Sequence, residues 1–175
     1  MGIFGSKPFA ALNGTLARLS DIRPIDRAAP HQPLANDVWL TVEQGMGADL
    51  AVSGGPGGLT LDLKTISRSD WLSLSFTIPI KTVQQGRFLV LIVRTISEGF
   101  ISYRPCLRHL LEKDGYEDRF CNEYIVSAGG EEEQLAFIDI EPDLLAQTRA
   151  TEMHLFFQGT KFRVSLPNIE LALIE

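Results

Sequence analysis

Five residues carry the side chains best suited to hold a ligand: Trp71, Arg94, Tyr103, Arg104 and Arg108. Trp71 precedes Leu72, Leu74, Phe76 and Ile78, which recur at every second position. If those four pack inward along a strand, Trp71, Ser73, Ser75 and Thr77 turn outward. An outward indole offers a flat apolar face of the kind that stacks on the apolar side of a pyranose ring, and it serves equally as a cap on a sheet rim or as a seat for an N-terminal arm. Arg94 ends an otherwise apolar run, so its charge must reach water, a carboxylate or a ligand. Arg104 and Arg108 share a face, alternating with Tyr103 and Leu107. Pairing of the two strands would set three arginines on one sheet, a row suited to acidic sugars or other anions. Pairing with nearby carboxylates would consume the same charges.

Those carboxylates are abundant. From Glu112 to Asp143 the chain holds eleven (Glu112, Asp114, Glu117, Asp118, Glu123, Glu131, Glu132, Glu133, Asp139, Glu141, Asp143) against Lys113 and Arg119. A consecutive run of this kind reads as a solvated edge, since liganding carboxylates converge in space rather than follow one another along the chain. The formal charge of -6 and pI near 5.1 argue against a nucleic-acid surface, which needs a basic stripe.

Catalytic chemistry finds little support. His31, His109 and His154 are dispersed, and HExxH, GxSxG and CxxC patterns are missing; the glycines from 54 to 58 lack the lysine and hydroxyl of a phosphate loop. Cys106 and His109, with Cys121, have the residue types of a zinc site, but a separation of three on a strand turns Cys106 and His109 to opposite faces. Cys121 with His109 lacks a local orienting group for thiol catalysis. No cofactor and no metal are expected. Two cysteines are too few for a disulfide scaffold, and reduced thiols are expected. Around the turn at Glu112-Lys113-Asp114-Gly115, a loop on Lys113-Asp114 sets Cys106 opposite Cys121, whereas one on Asp114-Gly115 sets it opposite Glu123.

The elements that must position these groups are strands. Hydrophobic residues make up 45% and charged residues 22% of 175, ordinary for one folded domain. Period two appears in Val38, Leu40 and Val42 alternating with Trp39, Thr41 and Glu43; in Leu59, Leu61 and Leu63; and from Leu72 to Ile78. Arg87 to Ile96 is apolar on both faces, as a central covered strand would be. Further strands are read at Phe100 to Leu107, Tyr116 to Ser127, Gln134 to Ile140, Glu152 to Gln158, Lys161 to Leu166 and Asn168 to Ile174, with turns at Gly45, Gly47, Gly54 to Gly58 and Gln85-Gly86. Only Glu141 to Gln147 looks helical, with Pro142 in its first turn.

About ten strands with almost no helix between them predict an all-β, antiparallel β-sandwich, with a barrel as competitor. The first 36 residues, punctuated by Pro8, Pro24, Pro30 and Pro33, read as an N-terminal arm with one short helical segment from Phe9 to Leu19, whose Phe9, Leu12, Leu16 and Leu19 form a stripe. Residues 37 to 175 are then the sandwich domain. No stretch is apolar and long enough to span a membrane, and Pro8, Asn13, Gly14 and Arg18 interrupt any signal-peptide core, so cytoplasmic residence is expected. Met1-Gly2-Ile3-Phe4-Gly5-Ser6 fits a myristoylation pattern that matters only in a eukaryotic host.

The cadence Leu135-Ala136-Phe137-Ile138-Asp139-Ile140, a one-turn helix, Leu155-Phe156-Phe157-Gln158-Gly159, then Phe162 to Leu166 and Pro167-Asn168-Ile169-Glu170-Leu171, resembles the galactose-binding-like jelly roll of many carbohydrate-binding modules. Pro167 stands where that pattern usually has Asp, which puts a family-type ligand or structural calcium in doubt. The resemblance, with the outward Trp71, implies a non-catalytic module that binds carbohydrate or polysaccharide, a role that would suit an accessory to a sugar-processing enzyme. Two alternatives stay open: a structural module meeting a protein partner through the arm or a sheet edge, and a small hydrolase or isomerase.

Overall fold

A computed structural model describes residues 7–42, 48–65 and 71–174. The acylation pattern at residues 1–6, Glu43, Gly45 and Gly47 lie outside them. Twelve strands form two antiparallel sheets, two strands more than the sequence suggested. One sheet holds β1 (His31–Ala35), β2 (Val38–Val42), β5 (Leu72–Ile78), β11 (Thr148–Gln158), β7 (Ile101–Leu111) and β8 (Tyr116–Phe120) in that order, with β9 (Ile125–Ser127) also pairing β7. The other runs β10 (Gly130–Asp139), β6 (Phe88–Ser97), β12 (Phe162–Ile174), β4 (Leu59–Thr65), β3 (Asp49–Ser53). This is the antiparallel sandwich that the alternating pattern predicts, of the jelly-roll type that the resemblance implies.

The core lies between the sheets. Val42, Leu72, Phe157 and Tyr103 form one buried row across the seven-stranded sheet, and Val38, Phe76, Met153 and Leu107 another. Leu59, Leu61, Leu63, Leu89, Leu91, Val93, Leu171 and Leu173 meet them from the opposite sheet. Burying each such side chain contributes about 1.5–3 kcal/mol, which fixes which face of every strand turns inward.

Four readings of strand extent change. β1 and β3 are additional strands. The stretch from Tyr116 to Ser127 divides into β8 and β9, and the two last segments merge into one 13-residue strand whose register shifts between Ser165 and Asn168, around Pro167. A bulge is where a sheet tolerates a residue without an N–H. β6 is an interior strand as expected, flanked by β10 and β12; on its outer side Val90 is buried, while Phe88 and Ile92 are half-buried beside exposed Leu135 and Phe137.

Residues 7–36 close the sandwich. Helix α1 (Ala10–Ala17), framed by 3-10 turns, buries Phe9, Leu12, Leu16 and Leu19, the stripe read from the sequence. β4 pairs β12 only as far as Leu166, so from there on β12 has no strand on that side. Asn13 fills the gap: its Nδ2 donates to the Leu171 carbonyl and its Oδ1 accepts from the Leu171 N–H, both at 2.9 Å. One amide side chain thus satisfies a strand edge as a neighbouring strand would. Farther on, Ile25 pairs with Val52, and Ala28 donates to the Leu50 carbonyl at 2.8 Å, covering the edge of β3. Gly54 lets this stretch approach, since a Cβ there would lie 2.2 Å from the Ser20 carbonyl oxygen.

Two short helices, α2 (Ile80–Val83) and α3 (Pro142–Leu145), complete the fold; α3 is the helical turn expected after Glu141. Among the described residues, no helix is long and apolar enough to cross a membrane. Asn13→Ala is expected to lower the unfolding free energy by about 1–3 kcal/mol, because two partly buried backbone groups lose their partner. Gly14→Ala, beside it on the helix with no atom within 4 Å of the added Cβ, should instead raise stability by about 0.5–1 kcal/mol. Urea titration of the two variants checks both signs.

Candidate binding face

The face of the seven-stranded sheet turned away from the core is built by register. Trp39 lies opposite Ser75, Ser75 opposite His154, His154 opposite Cys106, and Cys106 opposite Phe120. The neighbouring row holds His31, Thr41, Ser73, Phe156 and Arg104. A third aligns Thr77, Glu152, Arg108 and Asp118. Side chains in one row point the same way and stand about 4.5–5.5 Å apart at Cβ, so each can touch the next.

These rows make a continuous aromatic ribbon. His31 lies 5.9 Å from Trp39, Trp39 6.4 Å edge-on to His154, and His154 stacks on Phe156 at 5.5 Å and 16°. Phe156 then meets Trp71 on one side and Phe120 on the other, each at 5.7 Å. The Arg104 guanidinium covers Phe120 at 4.9 Å and Tyr124 at 5.2 Å. Trp71, Phe120 and Tyr124 remain 38%, 42% and 46% exposed, which is the half-open state that leaves a ring available for stacking.

Beneath the ribbon runs a polar chain. Ser73 Oγ and Ser75 Oγ are 3.0 Å apart, Ser75 Oγ lies 2.7 Å from His154 Nδ1, and His154 Nε2 lies 3.1 Å from Glu152 Oε2. The connectivity has the members of a nucleophile, base and acid. Ser75, however, has no exposed surface, so its hydroxyl cannot meet a substrate. The chain instead fixes the His154 ring on which Phe156 rests.

The five candidates from the sequence separate. Trp71, Arg104 and Arg108 share this face. Arg94 does not: β6 and β7 belong to different sheets, so the row of three arginines never forms, and Arg94 pairs with Glu131 on the opposite side of the molecule. Tyr103 points into the core, where its hydroxyl bonds Thr95 Oγ1 at 2.7 Å and burial pushes its pKa well above the ordinary range. Arg108 is engaged by Asp118, its Nε donating at 2.7 Å and Nη2 at 2.8 Å, and lies over Tyr116 at 4.1 Å. The sequence reading did not nominate Trp39, Phe120, Tyr124, His154 or Phe156. Trp39 alternates visibly with Val38 and Leu40, whereas Phe156 sits between Leu155 and Phe157, where alternation is masked.

The cysteines are free and buried, with Cys106 opposite Phe120 rather than opposite Cys121 or Glu123. The pairing of Leu110 with Tyr116 centres the turn on Lys113, with positive φ at Asp114 and Gly115 and the Leu111 N–H donating to the Gly115 carbonyl; the partner of Cys106 thus falls one residue before Cys121 and three before Glu123. Cys106 faces the ribbon and His109 the core, where its Nδ1 lies 3.2 Å from Thr148 Oγ1 and burial lowers its pKa. Among the described residues, no three His, Cys, Asp or Glu side chains converge as a metal site. A cavity of about 460 Å³ opens at one end of the sandwich beside Phe100, Lys161 and Arg163, away from the central rows.

The fold matches solved structures. A family 11 carbohydrate-binding module of the cellulase Lic26A-Cel5E of Clostridium thermocellum aligns with a TM-score of 0.53 and 10% identity over 79% of this chain and 88% of that one. The CBM22-1 xylan-binding domain of Paenibacillus barcinonensis Xyn10C aligns with 0.51 and 11% over 78% and 86%. A Clostridium thermocellum family 11 module in complex with a β-1,3-1,4-mixed-linked tetrasaccharide gives 0.51 and 12% over 78% and 88%. This chain has the fold of a carbohydrate-binding module. No family model matches its sequence, and no curated protein does either.

Burial, then the Asp118 carboxylate, pushes the Cys106 thiol from an ordinary 9.0 up to about 12. The unfolded chain therefore loses this proton at lower pH than the folded one, and stability falls as pH rises above about 9. Cys106→Ala should flatten that alkaline loss relative to its own stability at pH 7, as followed by urea unfolding from pH 7 to 10. An unchanged slope would mean that the thiol does not titrate as its burial requires.

Proposed function

We propose that the chain is a non-catalytic carbohydrate-binding module that lays a saccharide across the seven-stranded sheet. The aromatic ribbon carries this reading: Trp71, Phe156 and Phe120 present ring surfaces on adjacent rows, flanked by Arg104 and Arg108. Stacking holds the apolar faces of sugar rings, and planar guanidinium groups take their oxygens. The solved modules of like fold support it, since among them are a xylan-binding domain and one holding a mixed-linked tetrasaccharide. Trp71 acts as a stacking platform at the end of the ribbon and Phe156 as its centre. Arg108, fixed by Asp118, frames one border. Arg94 and Tyr103 lie outside the site.

A protein-binding reading is favoured by one separate observation. Leu135 and Phe137, 45% and 48% exposed, stand on β10, an edge strand of the five-stranded sheet. Apolar side chains on an unpaired edge suit strand addition by a partner.

A glycan array followed by calorimetry tests the first reading. Trp71→Ala and Phe156→Ala should each weaken a confirmed saccharide about tenfold or more, while Arg94→Gln on the other sheet leaves affinity within about twofold. Absence of any binding at about millimolar concentration, across neutral and acidic glycans, would sink it and leave the β10 edge as the surface to pursue.

A further inference from the structure

We propose that the saccharide taken by this face is acidic, and that Arg104 is the residue that reads its carboxylate or sulfate. The inference rests on the carbohydrate-binding reading above and adds the chemical class of the ligand.

Arg104 stands directly across from Phe156 in the β7–β11 pairing, and its guanidinium lies over Phe120 and Tyr124. A sugar ring stacked on Phe156 or Phe120 therefore brings its substituents over Arg104, because cross-strand neighbours stand about 5 Å apart. The guanidinium is held from one side only. Its Nε donates to the Cys121 carbonyl at 2.8 Å, and neither Nη makes a hydrogen bond or ion pair among the described residues.

Other arginines of the sandwich are differently occupied, on this face and on the far one. Arg94 is paired with Glu131, Arg108 with Asp118, and Arg119 with Glu117 and Glu141. Of the three half-buried arginines among the described residues, Arg104, Arg108 and Arg119, Arg104 alone has no carboxylate partner there, in a chain with 22 acidic residues against 16 basic ones. Asp118 is neutralised by Arg108, and Glu152 is turned to His154, so the charge left at the middle of the ribbon is positive. A stacked guanidinium has already lost water from its faces and keeps its donor edge, the arrangement that rewards a bidentate anion over a neutral hydroxyl. Ring stacking sets the sugar in place, and the fork at Arg104 selects for charge.

Calorimetry on the full chain with tetragalacturonate and with cellotetraose tests this. The wild type should bind the acidic tetramer at least about tenfold more tightly at low salt, and added sodium chloride should weaken that complex alone. Arg104→Gln should weaken tetragalacturonate by about 10- to 100-fold and cellotetraose by no more than about threefold, so that the preference for the acid is lost; an unchanged urea-unfolding midpoint reports an intact fold. Arg104→Lys, which keeps the charge without the fork, should fall between. Equal affinity for the two tetramers, or an Arg104→Gln effect that is nil or the same on each, overturns the assignment. Binding of cellotetraose alone overturns it while leaving the carbohydrate reading standing, whereas binding of neither overturns the two together.

Discussion

Register at the centre of the seven-stranded sheet is the constraint on which the rest depends. In β2, β5, β11 and β7 most of the side chains turned to the core are large and apolar, and Leu40, Leu74 and Leu155 stand in one inner row of complete burial. A slip of one residue between β5 and β11 would drive Phe156 and His154 inward and put Leu155 and Phe157 in water. At about 1.5–3 kcal/mol for each displaced side chain, several at once exceed the whole stability of an ordinary domain. The aromatic ribbon is therefore a by-product of core packing in its position, though not in its composition. The core dictates that something must stand opposite Leu155 and Leu74; it does not dictate Phe156, Trp39 or Arg104.

The N-terminal arm matters to the same face in a less direct way. By supplying β1 it extends the sheet beyond β2 and adds His31 to the ribbon, next to Trp39. Through Asn13 and the Ile25 pairing it also covers two edges of the opposite sheet. One segment thus closes one sheet and widens the other. In the five-stranded sheet β10 is left as the edge that carries exposed apolar side chains, which is why it offers the competing surface for a protein.

Much of the fold could be read from period two, because segments such as Val38 to Val42 and Leu72 to Ile78 bury one face only. β1 escaped because Pro33 argues against a strand except at an edge, where it lies. Pro167 divided β12 on paper for the same reason; the chain absorbs it at a bulge. The site was legible in part. Alternation turned Trp71, Arg104 and Arg108 outward, and the same alternation already separated Tyr103 from Arg104. The error over Arg94 is topological: β6 and β7 are joined by the short link from Ser97 to Ile101, which suggests a hairpin, yet that link carries the chain from one sheet to the other. Sequence also could not foresee which arginines the acidic run would take. Asp118 takes Arg108 and Glu131 takes Arg94, while Arg104 rests on aromatic rings. Those pairings are set by the register between neighbouring strands.

The central claim is that ligand meets this chain on the outer face of the seven-stranded sheet. Nuclear magnetic resonance titration of isotope-labelled protein with soluble oligosaccharides tests it most directly. The account expects shifts to concentrate on the Trp71 indole N–H, the Arg104 side chain and the amides around Phe156 and Phe120, with the residues of β4 and β12 unmoved. Shifts gathered instead around Leu135 and Phe137, or around the cavity beside Phe100 and Lys161, would contradict it.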